Sequence, residues 1–253
     1  MHTLAGKAYL VTGAARRVGA AIVRRLHGHG GDVLIHHRGR EDEAGALAAE
    51  LNAARAGSAA TVALDLAELE ALHSLVDTAL RRFGRLDGLV NNASTFFPTP
   101  LGSVTRASFE QLMVSNLTAP LFLAQAAAPA LRQARGAIVN IIDIHAERPL
   151  RDYVVYSAAK AGLAGLTRSL ALELAPEVRV NGVSPGPIEW PEAASMAQGH
   201  IEAGERARIL ATTPLRCEGG VAAIAGAVAY LFADADFVTG QILAVDGGRS
   251  IFL

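Results

Sequence analysis

The chain has 253 residues, of which 51% are hydrophobic and 19% charged, so it can bury one large core and shows no sign of a second unit. The net charge of −1 without any basic run argues against a nucleic-acid surface, and a single cysteine, Cys217, excludes an internal disulfide and a cysteine-based metal site. No stretch reaches the roughly 18 apolar residues of a membrane span and no signal peptide is visible, so we expect one cytoplasmic domain over residues 1–253 with small-molecule partners.

Short apolar runs rich in β-branched residues recur along the chain, with helical segments between them. Because these runs are apolar on both faces and parallel strands need crossover connections, they predict a parallel sheet covered by helices on two sides. The fold class we expect is α/β, a single Rossmann-type domain with a seven-stranded parallel sheet and helices on both faces. The predicted strands are Lys7–Thr12, Asp32–His37, Ala60–Leu64, Leu86–Val90, Ala137–Ile142, Val178–Val183 and Gln241–Val245.

Helical periodicity is clearest between Tyr156 and Leu174. There the apolar residues fall at spacings of three and four and form one stripe facing the sheet, made of Ala159, Leu163, Leu166, Leu170 and Leu174. The other predicted helices are Ala20–His29, Glu41–Arg55, Leu69–Phe83, Ser115–Leu131 and Val221–Phe232. The segment Pro185–Thr213 begins with Pro, Gly and polar residues, which predicts a substrate loop near the carboxyl edge of the sheet.

The first strand leads into a glycine-containing turn and then a helix, the run Thr12-Gly13-Ala14-Ala15-Arg16-Arg17-Val18-Gly19. Glycines at such a turn let the backbone approach a pyrophosphate at a helix N-terminus. We therefore interpret residues 12–19 as a cofactor loop. An ordinary turn between a strand and a helix is the alternative.

The second strand ends in His36-His37-Arg38-Gly39-Arg40, without an acidic residue to accept hydrogen bonds from an NAD ribose. Arg38, with Arg16 or Arg17, can instead bind a 2′-phosphate, which favours NADPH. The alternative is that these arginines are merely solvated. His36 and His37 do not indicate a metal site, because adjacent strand residues point to opposite faces and no carboxylate cluster joins them.

Tyr156 and Lys160 stand four residues apart, so on a helix they share one face. A nearby ammonium stabilises a phenolate, and we expect it to bring the pKa of the tyrosine down towards working pH, where the phenol can give a proton to a substrate that receives hydride. By itself this pair is also typical of an ordinary helix surface.

The same order of motifs carries a family resemblance. With Thr12-Gly13 to Gly19, Asp65-Leu66, Asn91-Asn92-Ala93, Asn116, Tyr156 to Lys160 and Pro185-Gly186, the chain resembles the short-chain dehydrogenase/reductase family over nearly its whole length. The resemblance implies that Asp65 contacts the adenine, that Lys160 also holds the nicotinamide ribose and that Asn116 supports a proton-relay water. It further implies cofactor contacts from Gly13, Arg16, Arg17, Val18, Gly19, His37, Arg38, Leu66, Asn92, Ala93, Ser94, Tyr156, Pro185, Gly186 and Ile188.

Two departures from the general family pattern narrow the resemblance. The cofactor loop lacks the further glycine before its last one, and Asp143 stands thirteen residues before Tyr156, where the family normally has a catalytic serine. Together with His37-Arg38 and the run from Asn92 to Leu101, these features resemble the pteridine reductase subgroup. The subgroup implies a pterin or folate substrate and a homotetramer built through the Tyr156–Leu174 helix and the C-terminal region.

What the subgroup implies for the site agrees with simple chemistry. A pterin is flat and polar, so Phe96 can stack on it while Ser94 and Arg17 meet its edge groups, and Phe97 packs in the core. Tyr156 protonates the ring nitrogen next to the carbon that receives hydride, and Asp143 hydrogen-bonds the phenol. Trp190 closes over the substrate or shields its loop, and His145 is a structural hydrogen-bonding residue.

Two other functions fit the same residues. A serine donates to the alkoxide that forms from a ketone, whereas an ionised carboxylate repels it, so Asp143 favours a C=N bond over a carbonyl. A carbonyl reductase acting on a ketone or an acyl thioester is nevertheless an alternative. The other is a catalytically silent NADPH-binding regulator that lost activity together with the serine.

Overall fold

The structure is a computed structural model that describes residues 3–188 and 203–252. Its seven strands form one sheet in the order β3-β2-β1-β4-β5-β6-β7, and every adjacent pair is parallel. The expected α/β class and the parallel seven-stranded sheet are thus confirmed. The strands are β1 (Ala8–Val11), β2 (Asp32–His37), β3 (Ala59–Ala63), β4 (Gly88–Asn91), β5 (Ala137–Ile141), β6 (Arg179–Pro185) and β7 (Ile242–Val245).

The helices agree with the predicted pattern over much of the chain. They are α1 (Arg17–Gly28), α2 (Glu41–Ala54), α3 (His73–Phe83), α4 (Arg106–Met113), α5 (Ala119–Ala134), α6 (Val154–Glu173), α7 (Ala203–Thr212), α8 (Gly220–Ala233) and α9 (Arg249–Phe252). Helices α4 and α9 were not predicted, and α7 lies in the later part of the predicted substrate loop Pro185–Thr213, where the sequence has weak helical character. The predicted helix Ser115–Leu131 is instead a π-helical turn, Val114–Thr118, followed by α5.

Both faces of the sheet are buried, because successive residues of each strand point to opposite sides. In β1, Tyr9 and Val11 join the core under α1, α2 and α8, whereas Leu10 joins the core under α3 and α5. The helices therefore cover both faces and leave the strand ends open. None of the described helices is long and apolar enough to cross a membrane.

A chain of buried polar side chains ties the middle of the sheet to α6. The Asn91 Nδ2 donates to the Asn140 Oδ1 at 2.8 Å, and the Asn140 Nδ2 donates to the Thr167 Oγ1 at 2.9 Å. These bonds join β4, β5 and α6. As a consequence, the residues that follow the two strands are held in register with the helix that carries Tyr156 and Lys160.

The strand order reverses at β1. Strands β2 and β3 lie on one side of β1, and strands β4 to β7 lie on the other. In open parallel sheets, such a switch leaves a crevice outside the carboxyl ends of the strands, where ligands bind. The fold therefore places residues after β1, β2, β4 and β5 around one crevice.

Candidate active site

A cavity of about 940 Å³ lies at this carboxyl edge. Most of the residues expected at the site line it: Gly13, Arg16, Arg17, Val18, Gly19, His37, Arg38, Asp65, Leu66, Asn92, Ala93, Ser94, Asp143, Tyr156, Lys160 and Pro185. The lining does not include Phe96, Asn116, Gly186 or Ile188. Trp190 lies outside the described residues.

The cofactor loop lies directly on the end of β4. Gly13 has φ of +60°, and a Cβ atom placed on it would come within 2.9 Å of the Ala93 Cα. A Cβ on Gly19 would lie 2.5 Å from the Gly13 carbonyl oxygen. Only glycine fits at these two positions, and the resulting close turn at the start of α1 is the shape that a dinucleotide pyrophosphate requires.

Asn92 holds the cofactor loop by its side chain. Its Nδ2 donates to the carbonyl oxygens of Thr12 at 2.8 Å and Gly13 at 3.1 Å. In return, the Thr12 Oγ1 accepts from the backbone N–H groups of Asn92 and Ala93, each at 3.0 Å. The Asn92 amide thus shapes the loop, although the residue also lines the cavity.

Arginines dominate the end of the cavity beyond β2. Arg16, Arg38 and Arg40 line it, and Arg38 lies 3.6 Å from an oxygen of Asp65. The other Asp65 oxygen accepts from the Ala67 N–H at 3.0 Å. Arg40 was missed by the sequence analysis, although its position two residues after Arg38 was a usable signal. The charge at this end suits an anion such as a phosphate.

Asp143 and Tyr156 form a hydrogen-bonded pair at the centre of the cavity. The Tyr156 hydroxyl donates to the Asp143 Oδ2 at 2.7 Å, and the Asp143 Oδ1 accepts from the His145 N–H at 2.9 Å. His145 also uses its Nδ1 in a 2.9 Å contact with the Arg148 carbonyl oxygen, so its ring serves the local turn. Both oxygens of Asp143 are therefore oriented by neighbours.

The expected pKa shift of Tyr156 is wrong in direction. Burial, and then the charge of Asp143, raise the pKa of Tyr156 well above its ordinary value. Lys160 does not reverse this, because its Nζ donates to the Ile141 carbonyl oxygen at 2.9 Å and lies 5.7 Å from the Tyr156 ring centroid. The phenol consequently keeps its proton at neutral pH.

Lys160 is itself strongly perturbed. Only 2% of its surface is exposed. Burial lowers the pKa of Lys160 from 10.5 to about 8, and the nearby charge of Asp143 opposes part of that shift. The ammonium is thus charged at neutral pH, and it loses its charge at a milder alkaline pH than an exposed lysine would.

Asn116 lies in the π-helical turn and is buried. Its Oδ1 accepts from the Ser94 Oγ at 2.7 Å, while its Nδ2 donates to the carbonyl oxygens of Thr95 at 2.9 Å and Leu112 at 3.0 Å. The extra residue of a π-helical turn redirects side chains, and such turns are frequent at functional sites. Asn116 thereby orients Ser94 from behind the cavity wall.

The adjacent phenylalanines have different surroundings. Phe97 is buried beside Leu112 and Tyr156, whereas Phe96 is 42% exposed. The Phe96 ring stacks on Tyr153 with centroids 4.5 Å apart and meets Tyr156 edge-on at 4.7 Å. Tyr153 was missed by the sequence analysis, although it stands three residues before Tyr156 at the start of α6.

The loop after β6 is fixed by packing. A Cβ on Gly186 would lie 2.6 Å from the Asp246 Cα, and Ile188 is buried. The N–H groups of Gly219 and Gly220 donate to the carbonyl oxygens of Pro187 and Ile188, each at 3.1 Å.

Among residues 3–188 and 203–252, no three His, Cys, Asp or Glu side chains are grouped to hold a metal ion.

Comparison with known proteins gives consistent matches. A family described as "Enoyl-(Acyl carrier protein) reductase" matches residues 13–250. Pteridine reductase 1 of Leishmania tarentolae is 37% identical, over 96% of this chain and 96% of that protein. Trans-4-hydroxycyclohexanecarboxylate dehydrogenase of Sinomonas cyclohexanicum is 34% identical, over 98% of this chain and 94% of that protein.

A solved structure also matches closely. The crystal structure of a blue fluorescent protein from a metagenomic library, in complex with NADPH, superimposes with a TM-score of 0.89 and 36% sequence identity. The match covers 98% of this chain and 99% of that one. The agreement therefore extends over the whole sheet and the crevice at its carboxyl edge.

The pKa of Lys160 is directly measurable, because the chain has only two lysines. In a Lys7→Arg variant labelled with ¹³C-lysine, the Lys160 Cε resonance should titrate with a midpoint of about 8, since burial disfavours the charged form. Nuclear magnetic resonance between pH 6 and 11 provides the measurement. A midpoint near 10.5 would show that the side chain is hydrated, contrary to this structure.

Proposed function

The chain belongs to the short-chain dehydrogenase/reductase family, and we propose that it is an NADPH-dependent reductase of pterins. Dihydropterins are the proposed substrates, with oxidised pterins or dihydrofolate as further ones. The observation that carries this proposal is the hydrogen bond between Tyr156 and Asp143, with its 2.7 Å length, inside the cavity that the cofactor loop lines. A protonated Tyr156 beside the Asp143 carboxylate suits the reduction of a C=N bond. The tyrosine and serine hydroxyls of the general family pattern suit a carbonyl instead.

The nucleotide end of the cavity supports NADPH. When bound, NADPH supplies a hydride from its nicotinamide ring. The close turn at Gly13 and Gly19 holds the pyrophosphate, and Arg16, Arg38 and Arg40 neutralise the 2′-phosphate. The structural relative described above was itself crystallised with NADPH.

Tyr156 is the proposed proton donor. Its raised pKa keeps the proton on the phenol until hydride transfer to the ring carbon makes the adjacent nitrogen basic enough to take it. The C=N double bond then becomes a CH–NH unit, with one hydride and one proton gained. Lys160, one helical turn away, offsets the negative charge that Tyr156 acquires and holds the nicotinamide ribose.

Asp143 selects the bond that is reduced. Its two oxygens accept hydrogen bonds from Tyr156 and from the His145 N–H, so the carboxylate presents acceptors to the cavity. An alkoxide developing on a ketone would meet this negative charge without a donor from position 143. A C=N nitrogen is more basic than a carbonyl oxygen, so it can take the Tyr156 proton as the hydride arrives and less negative charge develops beside Asp143.

Phe96 is the proposed platform for the pterin. One face of its ring is covered by Tyr153, and we assign the opposite face to the flat heterocycle. Ser94, oriented by Asn116, and Arg17 then meet the polar edge of the pterin. Phe97, buried in the core, fixes the backbone at this point.

A carbonyl reductase is the second candidate. It is favoured by relatives that act on alcohols, such as the dehydrogenase of trans-4-hydroxycyclohexanecarboxylate. Tyr156 and Lys160 serve equally in that chemistry. The residue at position 143 therefore distinguishes the two candidates.

We further propose that the chain forms a homotetramer through α6 and the C-terminal region. Large apolar side chains are exposed on both, with Leu172 at 82% and Phe237 fully exposed at 104%. Such side chains are typical of surfaces that other subunits cover. Gly162 of α6 does not contribute to close helix approach, because it packs against Leu117 of the same chain.

Turnover of pterins tests the proposal directly. Purified protein should oxidise NADPH in the presence of dihydrobiopterin or dihydrofolate, with NADH much less effective, and Tyr156→Phe should lower kcat at least about a hundredfold. Asp143→Ser should lower pterin turnover and raise ketone turnover, because it restores a donor for an alkoxide. Absorbance of NADPH provides the assay.

The second candidate is preferred if the wild-type protein reduces ketones well and turns over none of these pterins. Binding of NADPH without reduction of any pterin or ketone would instead indicate a silent regulator.

The two phenylalanines form a matched pair of variants. Phe96→Ala should raise the KM for dihydropterin about tenfold through lost stacking, and it should lower the melting temperature much less than Phe97→Ala does. Phe97→Ala should lower the free energy of unfolding by about 3 kcal/mol, because it empties a buried site. Steady-state kinetics and thermal denaturation measure the two effects. Wild-type kinetics in Phe96→Ala would remove Phe96 from the substrate site.

A further inference from the structure

We propose that His36 is a positioning residue for the cofactor, which fixes the direction of the cofactor loop by accepting a hydrogen bond from its first glycine. The inference rests on the proposed NADPH site and concerns binding of the cofactor alone. His36 does not touch the reacting atoms at Tyr156. The sequence analysis considered His36 only as a candidate metal ligand and did not favour that role.

The contacts of His36 fix its protonation state. The Gly13 N–H donates to the His36 Nδ1 at 3.1 Å, and the Ala14 N–H donates to the His36 carbonyl oxygen at 2.8 Å. Because a backbone N–H can only donate, Nδ1 carries no proton, and the proton of the neutral ring is on Nε2. Nε2 then donates to the Leu64 carbonyl oxygen at 3.0 Å.

These bonds join three neighbouring strand ends. Gly13 follows β1, His36 lies in β2, and Leu64 follows β3. Gly13 is also confined from the other side, since a Cβ on it would lie 2.9 Å from the Ala93 Cα. The turn that leads to Arg16, Arg17 and Val18, which line the cavity, is therefore held by His36 on one side and by β4 on the other.

Burial keeps the Nδ1 atom of His36 unprotonated, so that it can accept a hydrogen bond. His36 is 1% exposed, and burial lowers its pKa to about 4, so the ring is neutral at physiological pH. An apolar or differently shaped side chain would leave the Gly13 N–H without its protein acceptor, and the turn would be free to rotate. The effect should appear in the affinity for NADPH.

Two substitutions separate the two hydrogen bonds of the ring. In His36→Asn, the Oδ1 takes the place of Nδ1 and keeps the acceptor for Gly13. In His36→Gln, the longer amide reaches Leu64 and leaves Gly13 without an acceptor. His27→Leu is the matched control, since His27 is a buried histidine bonded to Ser58 at 2.7 Å and does not line the cavity.

Titration of each variant with NADPH, followed by protein fluorescence, measures the dissociation constant. We expect His36→Gln to raise the Kd about tenfold and His36→Asn to stay within about threefold of wild type. His27→Leu should lower the melting temperature without changing the Kd. The kcat at saturating NADPH should stay within about threefold in His36→Gln, because the reacting groups are untouched.

Wild-type affinity in a folded His36→Gln, or equal weakening in His36→Asn and His36→Gln, would overturn the inference. Should neither variant fold, selective ¹⁵N-histidine spectra of the wild-type protein decide it. They should show Nδ1 without a proton, and a protonated Nδ1 would contradict the assignment. NADPH binding needs no pterin. The dissociation constants of the His36 variants can therefore be interpreted even if the protein does not reduce pterins.

Discussion

All seven strands run in the same direction, and helices cover both faces of the sheet. With both faces buried, the carboxyl ends of the strands are the part of the sheet that remains open to a ligand. Side chains distant in sequence, from Gly13 to Lys160, are therefore brought to one crevice by strand direction alone. The buried hydrogen bonds from Asn91 to Asn140 and from Asn140 to Thr167 then fix the spacing between β4, β5 and α6.

Within this crevice, Asp143 and Tyr156 form the hydrogen bond on which the proposed function depends. A tyrosine beside a carboxylate and out of water holds its proton more firmly than a free phenol does. Such a proton is released only to an atom basic enough to take it, and a ring nitrogen next to the carbon that receives hydride is one. The same carboxylate offers no donor to an alkoxide. The proposed proton transfer from Tyr156 and the proposed pterin substrate therefore rest on the same hydrogen bond.

The elements of the sheet were predictable because each strand is apolar on both faces, and the cofactor loop because its glycines stand at a fixed place after a strand. Helix α4 was missed because only its Leu112 is buried, so it has no apolar stripe. The pKa of Tyr156 was misjudged because helical spacing reveals Lys160 but neither burial nor the orientation of Asp143. The choice of Phe96 over Phe97 as the exposed ring came from the family resemblance, because local sequence does not carry it. The contact of His36 with Gly13 likewise depends on tertiary structure.

In the proposed function, Tyr156 and the bound cofactor together reduce a C=N bond of a pterin. This can be followed in a single turnover with NADPH deuterated at the transferred position of the nicotinamide, with the product analysed by mass spectrometry and nuclear magnetic resonance. We expect one deuterium on a ring carbon of the tetrahydropterin and a solvent-exchangeable proton on the adjacent nitrogen, and we expect Tyr156→Phe to form neither. Recovery of unlabelled, unreduced pterin, with deuterium transferred to a ketone under the same conditions, would contradict it.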